Sequence, residues 1–402
     1  MILGAARPKT LVLLFAGLVL FVVEAFEYTA KAQQTRDWRT WPFSEQSPWN
    51  HPIGSGAVYA SVRGLTSYRA SINHDGRWTS AVYVASPRDP EVHLYFGPAW
   101  GSDSLWLFLD RGGLNCNNSC STELKLLSSA TPTLPFDANY YSTTSTPNDS
   151  LWVLPPDYMR ASNQYRSTFR LPAGACPSPD SDSMMAVFQP DGWVVDIYAT
   201  VVTSGGIVVA TMASYIDARG DGTGWWDGRR ASMLPSFAGL IRSGELASGR
   251  IPHALAVQVP ASLLKEQVVW PAYTFDRNSG YSGTLPMGSL LAIPAAVDVE
   301  RLVLSTYGRA IAHAAQDYGV YVVDRGGTGI NFMAEYGDPD IRWERTTEPA
   351  WWQDIETVKS LLQRVTNNGP TSIGGGGTLR APLAPPFADP QPPSPPQLLP
   401  GP

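Results

Sequence analysis

Charge is scarce in this chain of 402 residues. Charged side chains make up 16%, against about 25% in an average soluble domain. A disordered chain would be charge-rich and poor in aromatics, and here aromatics reach 11%. Basic residues number 29 and acidic residues 35, so the basic balance or stripe of a nucleic-acid binder is missing. Histidines are five and cysteines three. No G-x-S-x-G elbow, phosphate loop, H-E-x-x-H pair or strand-flanked G-x-G-x-x-G occurs. Serine-hydrolase, nucleotide-binding and zinc-protease readings therefore have no support.

Long apolar runs are also lacking, with one exception near the start. Leu11 to Val23 is apolar throughout, yet shorter than the ~20 residues a membrane span needs. Arg7 and Lys9 precede it and Ala30-Lys31-Ala32 follows. That is the three-part pattern of a secretory signal peptide. Residues 1–32 are expected to leave on export to the periplasm or medium, after which no membrane contact is expected. Glu24 and Glu27 lengthen the gap to the cleavage site; the alternative is an uncleaved N-terminal membrane anchor. In an oxidising compartment Cys116 and Cys120 could close a small ring and leave Cys176 free, although spacing does not decide the pairing.

Glycine (36), proline (35) and tryptophan (14) are abundant. Short apolar runs broken by turn residues, such as Ala81–Ala85, Val92–Phe96 and Leu105–Leu109, read as strands. Residues 33–366 are expected to form one β-rich unit with a sub-boundary near 170. Residues 367–402, with Gly374–Gly377 and a proline run, are expected to be a disordered tail. The expected fold is mainly β: an antiparallel sandwich or jelly-roll-like core with a small helix–hairpin portion.

The clearest unit is a meander. Met184–Gln189, Trp193–Thr200 and Ile207–Tyr215 are strands joined by Pro190-Asp191-Gly192 and by Ser204-Gly205-Gly206. Side chains alternate along a strand. Trp193, Val195, Ile197 and Ala199 therefore form a core face, and Val194, Asp196, Tyr198 and Thr200 an outer polar face. Ala261–Gln267 is predicted to be a short helix after Pro260. Thr306–Tyr318 is a second helix, capped by Ser305 or Thr306 and stopped by Gly319. Strands Val320–Asp324 and Ile330–Glu335 then form a hairpin around Gly326-Gly327, and Pro349–Arg364 is one more helix.

Residues able to carry chemistry fall in the second half. Asp217, Asp221 and Asp227 sit in a glycine-rich loop that suits calcium, although Arg219 breaks the usual ligand spacing. Otherwise no cofactor is expected. Trp225 and Trp226 in the same loop would stack on sugar rings or pin the loop to the core. Arg242, Glu245 and His253 lie close in sequence, and a histidine there could act as acid or base. Trp270, Tyr273 and Asp276 interleave aromatic and polar groups, as a sugar subsite or a hydrophobic lid would.

Ser47-Pro48-Trp49-Asn50, Pro190-Asp191-Gly192 with Asp196, Leu240-Ile241-Arg242 through His253-Ala254-Leu255, Trp270-Pro271-Ala272, Pro286-Met287-Gly288 and Asp317-Tyr318-Gly319 occur in this order. Together they resemble a broad group of exported bacterial proteins without an established activity. The resemblance implies one exported β-rich unit and marks Asp196, Arg242, Glu245, His253, Trp270 and Asp276 for testing.

The expected function is action on a polysaccharide or oligosaccharide. As a glycoside hydrolase the chain would use Asp196 and Glu245, with Asp276 in reserve. Tyr198, Trp225, Trp226, Arg242, Trp270 and Tyr273 would bind substrate. A lyase would use His253 or Tyr198 as base, with Arg242 neutralising a uronate. The third expectation is a non-catalytic glycan-binding or structural cell-surface protein.

Overall fold

A computed structural model describes residues 34–74, 78–96, 168–178, 183–202, 208–224, 228–276, 280–341 and 349–389. The segment 1–32 expected to be a signal peptide, Cys116, Cys120, Leu105–Leu109, Trp225, Trp226 and Asp227 lie outside these residues.

Strands dominate and fall into two large sheets. The first has seven strands in the order β1 (Tyr59–Ala60), β15 (Gln363–Val365), β12 (Leu290–Ala292), β13 (Val320–Gly326), β9 (Leu255–Pro260), β14 (Ile330–Met333) and β2 (Ala70–Asn73). The second has six, in the order β3 (Ser80–Val84), β6 (Met184–Phe188), β7 (Trp193–Val202), β8 (Val208–Asp217), β4 (Glu91–Phe96) and β5 (Thr168–Arg170). A parallel pair, β10 (Leu264–Val268) with β11 (Leu285–Met287), stands apart. Strands from both sides of residue 170 share the second sheet.

Both large sheets are mixed, not antiparallel. β9 runs parallel to β13 and β2 to β14, while β3 runs parallel to β6 and β4 to β8. Parallel neighbours need crossover connections, which local hairpin signals do not reveal. β13 and β14, read as a hairpin, do not pair, because β9 lies between them. The helix expected over Ala261–Gln267 is likewise absent: Leu263 and Leu264 are buried, and β10 pairs with β11.

The layers follow from which faces are apolar. Helix α2 (Thr306–Asp317) starts at Ser305, whose Oγ accepts from the Gly308 N–H. It buries Ala310, Ile311, Ala314 and Ala315, and Gly319 supplies the left-handed turn after it (φ 87°). Helix α3 (Pro349–Leu361) packs beside it, and Asp354 of α3 accepts from the Ser305 N–H at 3.1 Å. The helices cover one face of the first sheet, where Ile311, Ile355 and Val358 share a core with Val257, Val322 and Phe332. Its other face shares a core with the second sheet, through Tyr321, Val323 and Met333 against Phe188, Val194 and Ile216. A third core, including Val187, Val195 and Val208, lies on the far face of the second sheet.

β7 is therefore buried on both sides. Val194, Asp196 and Thr200 are all 0% exposed, so the expected outer polar face is an inter-sheet face. The period-two reading found the alternation correctly. It could not know that the first sheet packs over this face, with Val194 against Tyr321, Val323 and Met333.

The glycine-rich segment expected to trail freely is packed as far as Asp389. Gly54 pairs with Leu379, Arg36 pairs with Phe387, and Gly374 and Gly375 are buried. The glycines serve close backbone approach: a Cβ on Gly54 would lie 2.0 Å from the Gly376 carbonyl oxygen. Gly54→Ala is expected to lower stability by about 2 kcal/mol or more, since backbone blocks it on the facing side. A thermal melt within 1 °C of wild type would refute this contact.

Among the described residues, Trp38, Trp49 and Trp193 pack in the cores. Trp38 and Trp49 are 1% exposed, and Trp49 donates through Nε1 to the Gly222 carbonyl at 2.7 Å. No described tryptophan is fully exposed. Cys176 is disulfide-bonded, which corrects the arrangement that leaves it free.

Candidate functional site

Two segments distant in sequence meet beyond the end of β14. Ile241 forms a parallel bridge with Ala334, and the Glu335 N–H donates to the Ile241 carbonyl at 2.9 Å. Arg242 and Glu335 thus leave neighbouring backbones side by side. Arg242 Nε donates to Glu335 Oε2 at 2.9 Å, and the Ser243 N–H donates to the same oxygen at 3.3 Å. The guanidinium lies 5.5 Å from the centroid of the Phe188 ring. Its Nη1 is buried and has no hydrogen-bond partner.

Behind Arg242 the chain turns at Gly244 (φ 85°) into the short helix α1 (Glu245–Ser248). The turn brings Glu245 back onto the Arg242 N–H, which donates to Oε2 at 2.8 Å. His253, next to the start of β9, contacts the same carboxylate: Nε2 lies 3.0 and 3.2 Å from its two oxygens. His253 Nδ1 lies 2.9 Å from the Ala254 carbonyl. A carbonyl can only accept, and an ionised carboxylate can only accept. Nδ1 facing a carbonyl carries a hydrogen, and a carboxyl group against Nε2 favours the doubly protonated ring. Burial pushes the His253 pKa down, but the Glu245 charge and hydrogen bond outweigh it and leave the pKa raised.

Asp338 lies one turn beyond Glu335, its N–H donating to the Glu335 carbonyl at 3.3 Å. It is 4% exposed. Oδ1 accepts from the Asp340 N–H at 3.0 Å, and Oδ2 is buried without a partner. Burial first, then the charges of Asp340, Glu335 and Glu245, push its pKa up to about 6. Glu335 and Asp338 escaped the sequence reading. The available signal was a run of acids in Glu335-Tyr336-Gly337-Asp338-Pro339-Asp340 directly after a strand.

The other expected residues lie elsewhere. Asp196 accepts from the Ser236 N–H at 2.8 Å through Oδ2 and from the Ser236 hydroxyl through Oδ1. Burial raises its pKa to about 6 against these bonds and the charges of Arg229 and Arg230. It shares no hydrogen-bond partner with Glu245. Tyr198 is half-buried on β7. Asp276 faces Arg325 at 3.9 Å, and burial raises its pKa although Arg325 opposes this. Tyr273 donates to Thr223 Oγ1 at 2.8 Å, and Trp270 is half-buried. Asp217 Oδ1 accepts from the Arg219 N–H and Asp221 Oδ1 from the Thr223 N–H, so each caps its own turn. Among the described residues no three His, Cys, Asp or Glu side chains are grouped to hold a metal, and no helix is long and apolar enough to cross a membrane.

The buried Asp196 makes a pH prediction. Its folded pKa, about 6, exceeds the ordinary 3.8. Its contribution is therefore fully present below pH 3.8 and is lost as pH rises through 6. The difference corresponds to about 3 kcal/mol. Asn fits the same place, accepting from the Ser236 N–H and donating to its hydroxyl. Asp196→Asn is expected to flatten the fall in stability between pH 4 and 7. Denaturant midpoints across that range measure it, and an unchanged slope would contradict the assignment.

No protein family, curated protein or solved structure matches this chain.

Proposed function

We propose that the chain is an exported glycan-active protein, most simply a glycoside hydrolase, with its chemistry at Glu335 and Asp338. The observation that carries the reading is the contrast between two neighbouring carboxyls. Asp338 has a pKa raised to about 6, while Glu335 is held by Arg242 at 2.9 Å. Carboxyls whose environments differ in this way divide into acid and base. Asp338 would give its proton to the leaving glycosidic oxygen as the C–O bond breaks. Glu335 would take a proton from the water whose oxygen bonds to the anomeric carbon. Both return to their starting states by exchange with solvent. Glu245 and His253 position Arg242 and do not enter the reaction. The disulfide at Cys176 supports an oxidising compartment, as does the leader-like start.

A second reading is favoured by how fully Glu245 and His253 are satisfied: a non-catalytic glycan binder in which the cluster anchors the 241–253 segment. A glycan panel with the purified chain separates the two. Release of reducing ends, lost in Asp338→Asn and Glu335→Gln, supports hydrolysis. Binding without release across the panel supports the binder and rejects the enzyme.

A further inference from the structure

We infer that the contact between His253 and Glu245 is a pH-sensitive latch. One proton held between the two side chains fastens the segment 242–252 to the end of the first sheet, and its loss on the alkaline side frees that segment. The device needs no ligand and does not depend on the glycan reading.

The hydrogen-bond geometry requires that proton. His253 Nδ1 lies 2.9 Å from the Ala254 carbonyl oxygen, which only accepts, so Nδ1 carries a hydrogen. Nε2 lies 3.0 and 3.2 Å from the two Glu245 oxygens. A proton on either side of that gap makes a hydrogen bond. Without it, a lone pair on Nε2 faces an ionised carboxylate. Moving the remaining hydrogen to Nε2 only transfers the conflict to Nδ1 and the Ala254 carbonyl. Neither neutral tautomer beside an ionised Glu245 satisfies both neighbours. The side chains of His253 and Glu245 are 8% and 14% exposed, so water is a poor substitute for the lost bond.

The segment is built to move when the contact fails. Gly244 (φ 85°) and Gly249 (φ 70°) bracket α1 in left-handed backbone, where glycine turns at little cost. Nothing lies within 4 Å of where a Cβ on Gly244 would stand. Leu246 is the buried residue of α1. The same Glu245 carboxylate accepts from the Arg242 N–H at 2.8 Å, so a shift of Glu245 also loosens the turn that carries Arg242.

The surrounding charges set the direction. Burial opposes a charged His253; Glu245 outweighs it, while Arg242 works against the proton, and the pKa ends above the ordinary 6.5. Arg242 is itself offset by Glu335 at 2.9 Å, and Asp338 and Glu245 feel each other's charge. Arg250, the other cation of the segment, is turned to Tyr318 and lies 5.8 Å from the Trp41 ring centroid. A raised folded pKa means that the latch is fully closed below pH 6.5 and opens as pH rises through the raised value.

The test is hydrogen–deuterium exchange of the full disulfide-bonded chain from pH 6 to about pH 9, corrected for the intrinsic effect of pH on exchange. Protection of peptides within 242–252 is expected to fall about tenfold over that range while β13 keeps its protection. Glu245→Gln still accepts from the Arg242 N–H and donates to a neutral His253, so the alkaline fall should vanish. His253→Gln removes the titrating ring, should abolish the fall as well, and serves if the first variant does not fold. Protection of 242–252 that is as high at the alkaline end as at pH 6 overturns the inference. So does a fall shared equally by β13, or one that persists unchanged in the variants.

Discussion

Asp338→Asn is expected to lower glycan turnover by about 10²–10⁴-fold, the usual range for removing a positioned general acid. The amide keeps the shape and can still accept from the Asp340 N–H, so the fold should survive. Glu335→Gln should cost as much in turnover and also loosen the structure. It removes the charge opposite Arg242 Nε and leaves a nearly buried guanidinium without its counter-ion. Comparing the two separates chemistry from support: one variant loses activity alone, the other activity and thermal stability. Asp196→Asn is the control. Its carboxyl is bound to Ser236 within the inter-sheet layer, so turnover should stay at the wild-type level. A large loss in Asp196→Asn together with none in Asp338→Asn would return the chemistry to β7.

Arg36→Ala is expected to open the clasp between the two ends of the described fold. Arg36 is 6% exposed. Its Nε donates to the Pro385 carbonyl at 2.6 Å, and its other nitrogens donate to the Trp41 and Phe43 carbonyls. The guanidinium lies 3.9 Å from the Phe387 ring centroid, and the backbone of Arg36 exchanges hydrogen bonds with Pro386 and Ala388. Burial lowers its pKa to about 10 despite the opposing charge of Glu45, so it remains charged at neutral pH. Removing it strands several carbonyls that water reaches poorly. A loss of about 3 kcal/mol follows from charge-assisted bonds of this kind. Limited proteolysis should then cut within 378–389, where the wild type is expected to resist. Wild-type resistance and an unchanged melt would show that glycine packing alone holds the segment.

What was legible in the sequence was local. The β6–β7–β8 meander carries its turn signal in Pro190-Asp191-Gly192, and α2 carries its cap at Ser305 and its stop at Gly319. Arg242, Glu245 and His253 could be grouped because one loop holds them all. Glu335 could not, because it reaches Arg242 across 93 positions through a bridge that only the assembled sheet provides. The same distance problem hid β9 between β13 and β14 and hid the sheet covering Asp196. The glycine and proline segment misled for a different reason. Composition there signals freedom of the backbone, and Gly54, Gly374 and Gly375 use that freedom for tight contact.

The most direct test of the central claim is the pH dependence of kcat/KM for reducing-end release from a glycan. If Asp338 is the proton donor, its protonated form is required. The rate should hold on the acid side and fall as pH rises through about 6. In Asp338→Asn the residual rate should lose that fall. A rate that rises from pH 6 to 8, or a fall that persists unchanged in Asp338→Asn, would contradict the assignment.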